Sequence, residues 1–425
     1  MLVLLSACGT GQLVRGGRIN QGLLAALEAR LSAVRGLQFL RPVTVRAVTP
    51  AEIAVIIDQE IAHDLPPPDM ERLESIYTTL HLIAPGATIG SSMQKLLTTQ
   101  LAAFYDTRTK TLNVSTEAVR SQESVGLRIF GAVSGRDPVG ELVLSHELTH
   151  ALQDQHWGIP SEVEAATDSH GDSLVARRAL LEGDATWASF ACVAGVTPDA
   201  ATRARVLRQL RLLSQKLNAA YPDTPELLRD TLVFEYEAGT AFVDRLLAQG
   251  GWPAVDRAQA APPQSTEQVM HPERYLEHRD RPIDVKLSPT LLQRNGFTLV
   301  LADTLGELGV RTLASRYLPA QDAARVAEGW GGDRLAAFAR GQETVIVWLT
   351  AWDTEADAME FADALRVIQP DASVERRGTR VLVLLGPTPP GLAATLWRRS
   401  LVDGAAPDAF KGRRMRRRSP AASAT

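Results

Sequence analysis

His146-Glu147-Leu148-Thr149-His150 constrains this chain more than any other stretch, because it asks for a helix with a polar face and a buried one. Residues four apart on an α-helix differ by about 40° around the axis, so both imidazoles project from one face and can reach one metal ion. Glu147 flanks that face, where a carboxylate can take a proton from a water that zinc polarises. The flanks agree with a helix. Asp137-Pro138 reads as N-cap and first helical residue, Glu141 places negative charge near the positive end of the dipole, and Gly158-Ile159-Pro160 reads as the stop. Leu144, Leu148, Ala151 and Leu152 lie away from the two histidines, so one face can enter a core while the other lines a cleft.

A catalytic zinc ordinarily has three protein ligands and one open position, so a partner for the histidines is needed. The candidate is Glu182, in Arg177-Arg178-Ala179-Leu180-Leu181-Glu182-Gly183-Asp184-Ala185, on a helix expected from about Asp172 to Gly195. Two helices joined by a polar loop can pack antiparallel, which would bring Glu182 to the histidine face. A glutamate on a solvated helix face has the same spacing, although Gly183 beside it suggests a close backbone approach.

The segments H-E-L-T-H-A-L-Q-D-Q-H-W at 146–157, L-L-E-G-D-A at 180–185 and S-T-E-Q-V-M-H-P-E-R-Y at 265–275 together carry a family resemblance. The chain resembles a group of exported bacterial and archaeal zinc-metallopeptidase-like proteins. These are similar to the gluzincins, the thermolysin-like tribe in which H-E-x-x-H is completed by a downstream Glu, often within E-G-x-A. The resemblance runs from about residue 35 to 400 and is strongest in the three blocks. It implies His146, His150 and Glu182 as ligands of one Zn²⁺ and Glu147 as general base. One departure is Thr186, which stands where the thermolysin-like tribe carries an acidic residue four positions after the Glu ligand. Asp154, one turn beyond His150, is the candidate to orient a ligand imidazole. His156 and His170 read as loop or helix-end residues rather than further ligands.

The net charge of −4 conceals a basic tail whose removal leaves about −10, and nothing outside that tail suggests nucleic acid. The tail, carrying Lys411, Arg413, Arg414, Arg416, Arg417 and Arg418, reads as a solvated end or a weak anchor to anionic polymer or lipid. Two cysteines exclude a disulfide framework. Cys192 reads as a small buried apolar residue. Cys8, after Leu4-Leu5-Ser6-Ala7, resembles the acylated cysteine of a bacterial lipoprotein, although the preceding segment is short and lacks a basic start. The expected location is therefore the cell envelope, exported, with membrane contact only through lipid at Cys8.

Along the chain, the pattern predicts a helix over 21–34, a strand over 42–48, and a helix over 50–63 capped by Thr49. Pro66-Pro67-Pro68 reads as a break, followed by helices near 70–82 and 92–98. Residues 102–106 and 111–114 flank a polar turn and read as a β-hairpin. The resemblance gives an edge strand in this place the role of pairing with substrate backbone, and a hairpin that merely completes a sheet is the alternative. Helices follow over 198–219 and 225–248, with Gly250-Gly251 as the stop. Tyr236 on the second of these, and His271 near the Ser265–Gln268 capping box, are candidates to stabilise an oxyanion. Structural roles are the default for Tyr236, His271 and Arg274. Further helices are expected near 305–318 and 321–328, a tight turn at 329–333, then strands over 335–340 and 343–352, a helix over 355–368 capped by Thr354, strands over 373–377 and 380–385, and a helix over 391–400. Such an order packs helices on one face of an antiparallel sheet.

The expected fold class is α+β. A lipoprotein-like signal and linker would occupy 1–20, a mostly helical zincin-like catalytic domain with a small N-terminal sheet or hairpin 21–285, a smaller C-terminal α+β domain with an antiparallel sheet 286–402, and a basic disordered tail 403–425. The expected activity is zinc-dependent hydrolysis of peptide bonds in a peptide or protein substrate. The alternatives are an inactive zinc-binding scaffold lipoprotein and an amidase acting on cell-wall peptide with the same metal chemistry.

Overall fold

The computed structural model describes residues 14–15, 18–64, 66–100, 103–116, 138–159, 171–220 and 224–403. Cys8, Asp137, His170 and the basic tail lie outside them. The protein is α+β, with a helical N-terminal region and a C-terminal region built on a sheet.

The N-terminal helix, Gln21–Arg35, is capped by the Asn20 side chain, which accepts from Leu23 N at 3.1 Å, and ends at Gly36 with φ 76°. A small sheet follows. Its central strand, Thr111–Ser115, runs parallel to Thr44–Val48 and antiparallel to Ala103–Asp106, with Tyr105 opposite Leu112. Ala103–Asp106 is thus an edge strand, paired with its neighbour across the turn that the sequence predicts. Thr49 and Glu52 exchange capping hydrogen bonds at the start of helix Pro50–Asp64. Pro67 and Pro68 start a helix, Pro67–Thr79, instead of only breaking the chain, since a proline in the first turn gives up an N–H that has no helical partner anyway.

Two helices dominate the middle of the chain. The motif helix is Pro138–Trp157 and the Glu182 helix is Gly171–Ala194. Leu144, Leu148 and Ala151 of the motif helix enter a core with Leu24, Leu27 and Leu31 of the N-terminal helix, Leu112 and Val114 of the sheet, and Ala188 and Cys192 of the Glu182 helix. Cys192 is fully buried there, as its apolar setting predicts. Across the Glu182 helix lies a second core, in which Ala176, Ala179, Leu180 and Trp187 meet Phe234, Phe242, Val243 and Leu246.

The expected stop at Gly250-Gly251 is a kink. Helix Glu226–Ala260 has non-helical backbone only at these glycines, Gly251 at φ 62°, and resumes at Trp252-Pro253. A proline one residue into the restarted turn preserves it, so the chain changes direction without leaving the helix. At the start of the preceding helix, Ala200–Ala220, Asp199 is the cap, accepting from Thr202 N at 2.8 Å.

In the C-terminal region a five-stranded antiparallel sheet has the order Ser373–Arg377, Arg380–Leu385, Glu343–Trp352, Trp330–Arg340, Thr298–Asp303. The helix Glu355–Ile368 carries the full capping box of Thr354 and Asp357. Two expectations need correction. Residues 330–333 begin a strand: only Gly329 makes the turn, at φ 79°, and Gly332 is extended where an added Cβ would lie 2.3 Å from Ile283 O. Helices also cover both faces. Leu335, Ile346, Trp348 and Val381 pack against Val310, Leu313, Phe361 and Leu365, whereas Phe338, Val345, Val347 and Leu382 pack against Leu292, Leu392 and Leu396. Both sets of alternating side chains are apolar, so neither face can be left in water. Thr298–Asp303, not expected from the sequence, is an edge strand whose Leu299 is exposed.

Candidate metal centre

The seam between the motif helix and the Glu182 helix places His146, His150 and Glu182 together. His146 Nε2 lies 3.0 Å from Glu182 Oε2, His150 Nε2 3.5 Å from Glu182 Oε1, and the two Nε2 atoms 3.2 Å apart. All three offer ligand atoms within 4.8 Å of one another. Bonds of about 2.0–2.2 Å to a tetrahedral zinc separate the donor atoms by roughly 3.3–3.6 Å, so the donor set and its spacing fit that ion.

On its other side the Glu182 helix is in close backbone contact with the kinked helix. A Cβ on Gly183 would fall 2.2 Å from Gly239 O, and one on Gly239 would fall 2.0 Å from Ala179 O. The Glu182 helix and the kinked helix therefore touch backbone to backbone, which accounts for glycine beside the candidate ligand and brings Tyr236 into the site. The Tyr236 ring lies 6.0 Å from the His146 ring at 17°, and the residue is close enough to Glu182 and Glu147 for their charges to act on its hydroxyl. Tyr236 remains 38 % exposed, while desolvation, followed by the charges of Glu182 and Glu147, raises its pKa well above that of a free tyrosine. The hydroxyl stays protonated and able to donate.

Glu147 is held from the sheet side, where the Tyr105 backbone N–H donates to Glu147 Oε2 at 2.9 Å. Burial raises its carboxyl pKa, opposed by the nearby histidines and the Tyr105 hydrogen bond. Burial would also raise Glu182, but the His150 charge and hydrogen bonds from both imidazoles hold it well below the ordinary carboxylate range. For His150 burial acts downward and is outweighed by Glu182, which lifts it to about 9. Glu182 and His150 thus stabilise each other's charges when protons stand in place of a metal.

Behind His150 the structure departs from the sequence reading. Asp154 does not touch an imidazole: its Oδ2 accepts from Tyr105 Oη at 2.9 Å and its Oδ1 from Lys110 Nζ at 2.8 Å and Ile159 N at 3.1 Å. The residue that meets His150 is Gln153, whose Oε1 lies 2.9 Å from His150 Nδ1. On the motif helix, a side chain three residues after His150 reaches back over its turn, whereas Asp154 turns toward the hairpin. The one available signal for Gln153 was its i, i+3 offset.

The remaining candidates sit elsewhere. His156 Nε2 is 2.8 Å from Gln38 O, and His271 Nε2 is 3.0 Å from Glu307 Oε1. Arg274 binds Glu267 and, at 3.1 Å, Asp353, so His271 and Arg274 tie the last turns before the C-terminal region to that region. Sequence reasoning did not find Glu235, whose carboxyl beside Tyr236 is pushed up to about 7 by burial, countered by Arg178 and reinforced by Glu182.

Residues 298–396 match the family of a domain of unknown function, DUF8575, which spans most of the C-terminal sheet region and none of the histidine–glutamate cluster. No curated protein and no solved structure matches the chain.

Proposed function

We propose that the protein is a zinc-dependent hydrolase of peptide bonds, with His146, His150 and Glu182 as ligands in a zincin-like catalytic unit and Glu147 as general base. The observation that carries this reading is the convergence of the donor atoms of three side chains, at 3.0, 3.2 and 3.5 Å, beside a carboxylate that is not itself one of them. A structural metal site needs no such fourth group. A zinc ion bound there supplies Lewis-acid polarisation of a water and of the scissile carbonyl.

Each neighbouring group has a task. With Oε2 pinned by Tyr105 N–H, Glu147 directs Oε1 to remove a proton from the attacking water and to pass it to the leaving amine nitrogen. The Tyr236 hydroxyl, kept protonated, donates to the oxygen on which negative charge develops. Tyr105 also sits in the edge strand Ala103–Asp106, which lies against the motif helix. An extended peptide laid along that edge would be recognised by backbone groups, with little demand on its side chains. The protein is proposed to work at the cell envelope, anchored through lipid at Cys8. Among the described residues no helix is long and apolar enough to cross a membrane.

The test is Glu147→Gln set beside the wild type, with zinc content and cleavage of a diverse peptide mixture measured together. Equal zinc and lost cleavage are expected. Zinc binding without cleavage by the wild type, even of cell-wall peptides, would transfer support to a scaffold.

A further inference from the structure

The acidic residue that would orient a ligand histidine in the thermolysin-like pattern is absent at Thr186, and the chain carries Asp184 instead. Two residues beyond Glu182 on a helix is about 200° around the axis, so Asp184 points away from the cluster and into the packing seam. It is fully buried there and held by Arg35, which is 1 % exposed: Arg35 Nε donates to Oδ1 at 2.9 Å and Nη2 to Oδ2 at 3.2 Å. Arg35 Nη1 pairs with Asp256 at 2.7 Å, and its guanidinium lies 4.7 Å from the Trp252 ring centre. Asp184 Oδ2 also accepts from Gln259 Nε2 at 2.9 Å and from Gln153 Nε2 at 3.1 Å.

We propose that Asp184, fixed by Arg35, acts through the Gln153 amide to set the tautomer and ring orientation with which His150 presents Nε2 as a ligand. The inference rests on the metal reading above. Gln153 Nε2 lies between Leu181 O, at 3.0 Å, and Asp184 Oδ2, and neither a carbonyl oxygen nor an ionised carboxylate donates. The amide NH₂ must face them, which turns Oε1 toward His150 Nδ1. Since Oε1 only accepts, Nδ1 carries the proton, and the neutral ring has its lone pair on Nε2, directed at His146 and Glu182. The amide gives a carboxylate on the wrong side of its helix the reach to act on the histidine. Asp184 and Arg35 are positioning residues, since neither touches the candidate metal position. Asn at 184 could offer its own NH₂ to Gln153, leaving Leu181 O alone to oppose a flipped amide, and the flip would place the imidazole proton on Nε2, where it blocks ligation.

The measurement is zinc affinity at neutral pH by competition with a chromophoric chelator, with thermal unfolding of each metal-free variant alongside. Asp184→Asn and Gln153→Leu are each expected to bind zinc about 10- to 100-fold more weakly than the wild type. Gln153→Leu leaves the Arg35–Asp184 ion pair in place, so it reports even where Asp184→Asn does not fold. The double variant Gln153→Glu with Asp184→Asn puts a carboxylate directly against Nδ1–H and is expected to recover most of the lost affinity, which a merely structural role would not allow. Val347→Ala, in the core of the C-terminal sheet, is expected to lower the melting temperature with zinc affinity unchanged. Undiminished zinc affinity in Asp184→Asn and Gln153→Leu overturns the relay alone, as does equal weakening in Val347→Ala. A wild type that binds no zinc overturns the metal reading and the relay with it.

Discussion

The Tyr105 backbone N–H and the Glu147 carboxylate are 2.9 Å apart, so an edge strand that could align a peptide also fixes one oxygen of the candidate general base. Glu147→Gln retains an acceptor for that N–H but has no basic oxygen. Its cleavage rate is expected to fall about 10²- to 10⁴-fold with zinc content unchanged, measured by peptide turnover and metal analysis on the same sample.

Tyr236 offers the second chemical prediction. Tyr236→Phe keeps the ring that stacks on His146 and removes the donor, so kcat is expected to drop about 10²-fold or more at nearly constant KM. Steady-state kinetics on a single peptide substrate decide it. A rise in KM alone would assign the residue to substrate binding.

The glycine contact between helices is a stability prediction. Gly239→Ala drives a methyl to 2.0 Å from Ala179 O, against backbone that cannot rotate aside, and is expected to cost about 1–3 kcal/mol or more in denaturant unfolding. Because the same contact sets the place of Glu182 and Tyr236, zinc affinity should fall with it. A variant as stable as the wild type would mean the helices stand further apart.

Asp172 supplies a pH dependence remote from the metal cluster. Burial, reinforced by the charges of Asp333 and Glu307 and opposed by hydrogen bonds from Thr266, raises it from 3.8 to about 8. A carboxyl with a raised folded-state pKa favours the protonated native protein. Its contribution is complete below about pH 4 and is lost as the pH rises to about 8. Asp172→Asn mimics the protonated side chain at every pH, so its stability relative to the wild type should increase across that interval in a series of denaturant titrations. A constant difference would show that Asp172 ionises normally.

Much of this architecture can be read from local sequence signals. Thr354 with Asp357 marks a helix start, and His146 with His150 marks a shared helix face, because caps and four-residue offsets depend on a single turn. Gly183 was informative because the lack of a side chain has few explanations inside a helix. Gly250-Gly251 misled, since the same residues that end a helix also permit a sharp bend when Trp252-Pro253 can restart it. Gly331-Gly332 misled for a related reason: glycine there answers to the neighbouring Ile283 backbone, a contact that lies 49 residues away in sequence from Gly332. Arg35 and Asp184 were illegible as a pair because their contact joins positions 149 residues apart, and an arginine in a helix's last turn looks like an ordinary dipole partner. Local pattern favours Asp154 over Gln153, since a carboxylate is the commoner partner of a ligand imidazole, but the choice is settled by which side chain the neighbouring helix leaves facing the ring.

The most direct test of the metal centre is the zinc stoichiometry and affinity of the purified wild type beside His146→Ala, His150→Ala and Glu182→Ala. One zinc per chain in the wild type, with binding lost or severely weakened in each of the three variants, is the expected result. Absence of zinc from the wild type after equilibration with the ion, or undiminished binding in Glu182→Ala, would contradict a centre built from these side chains.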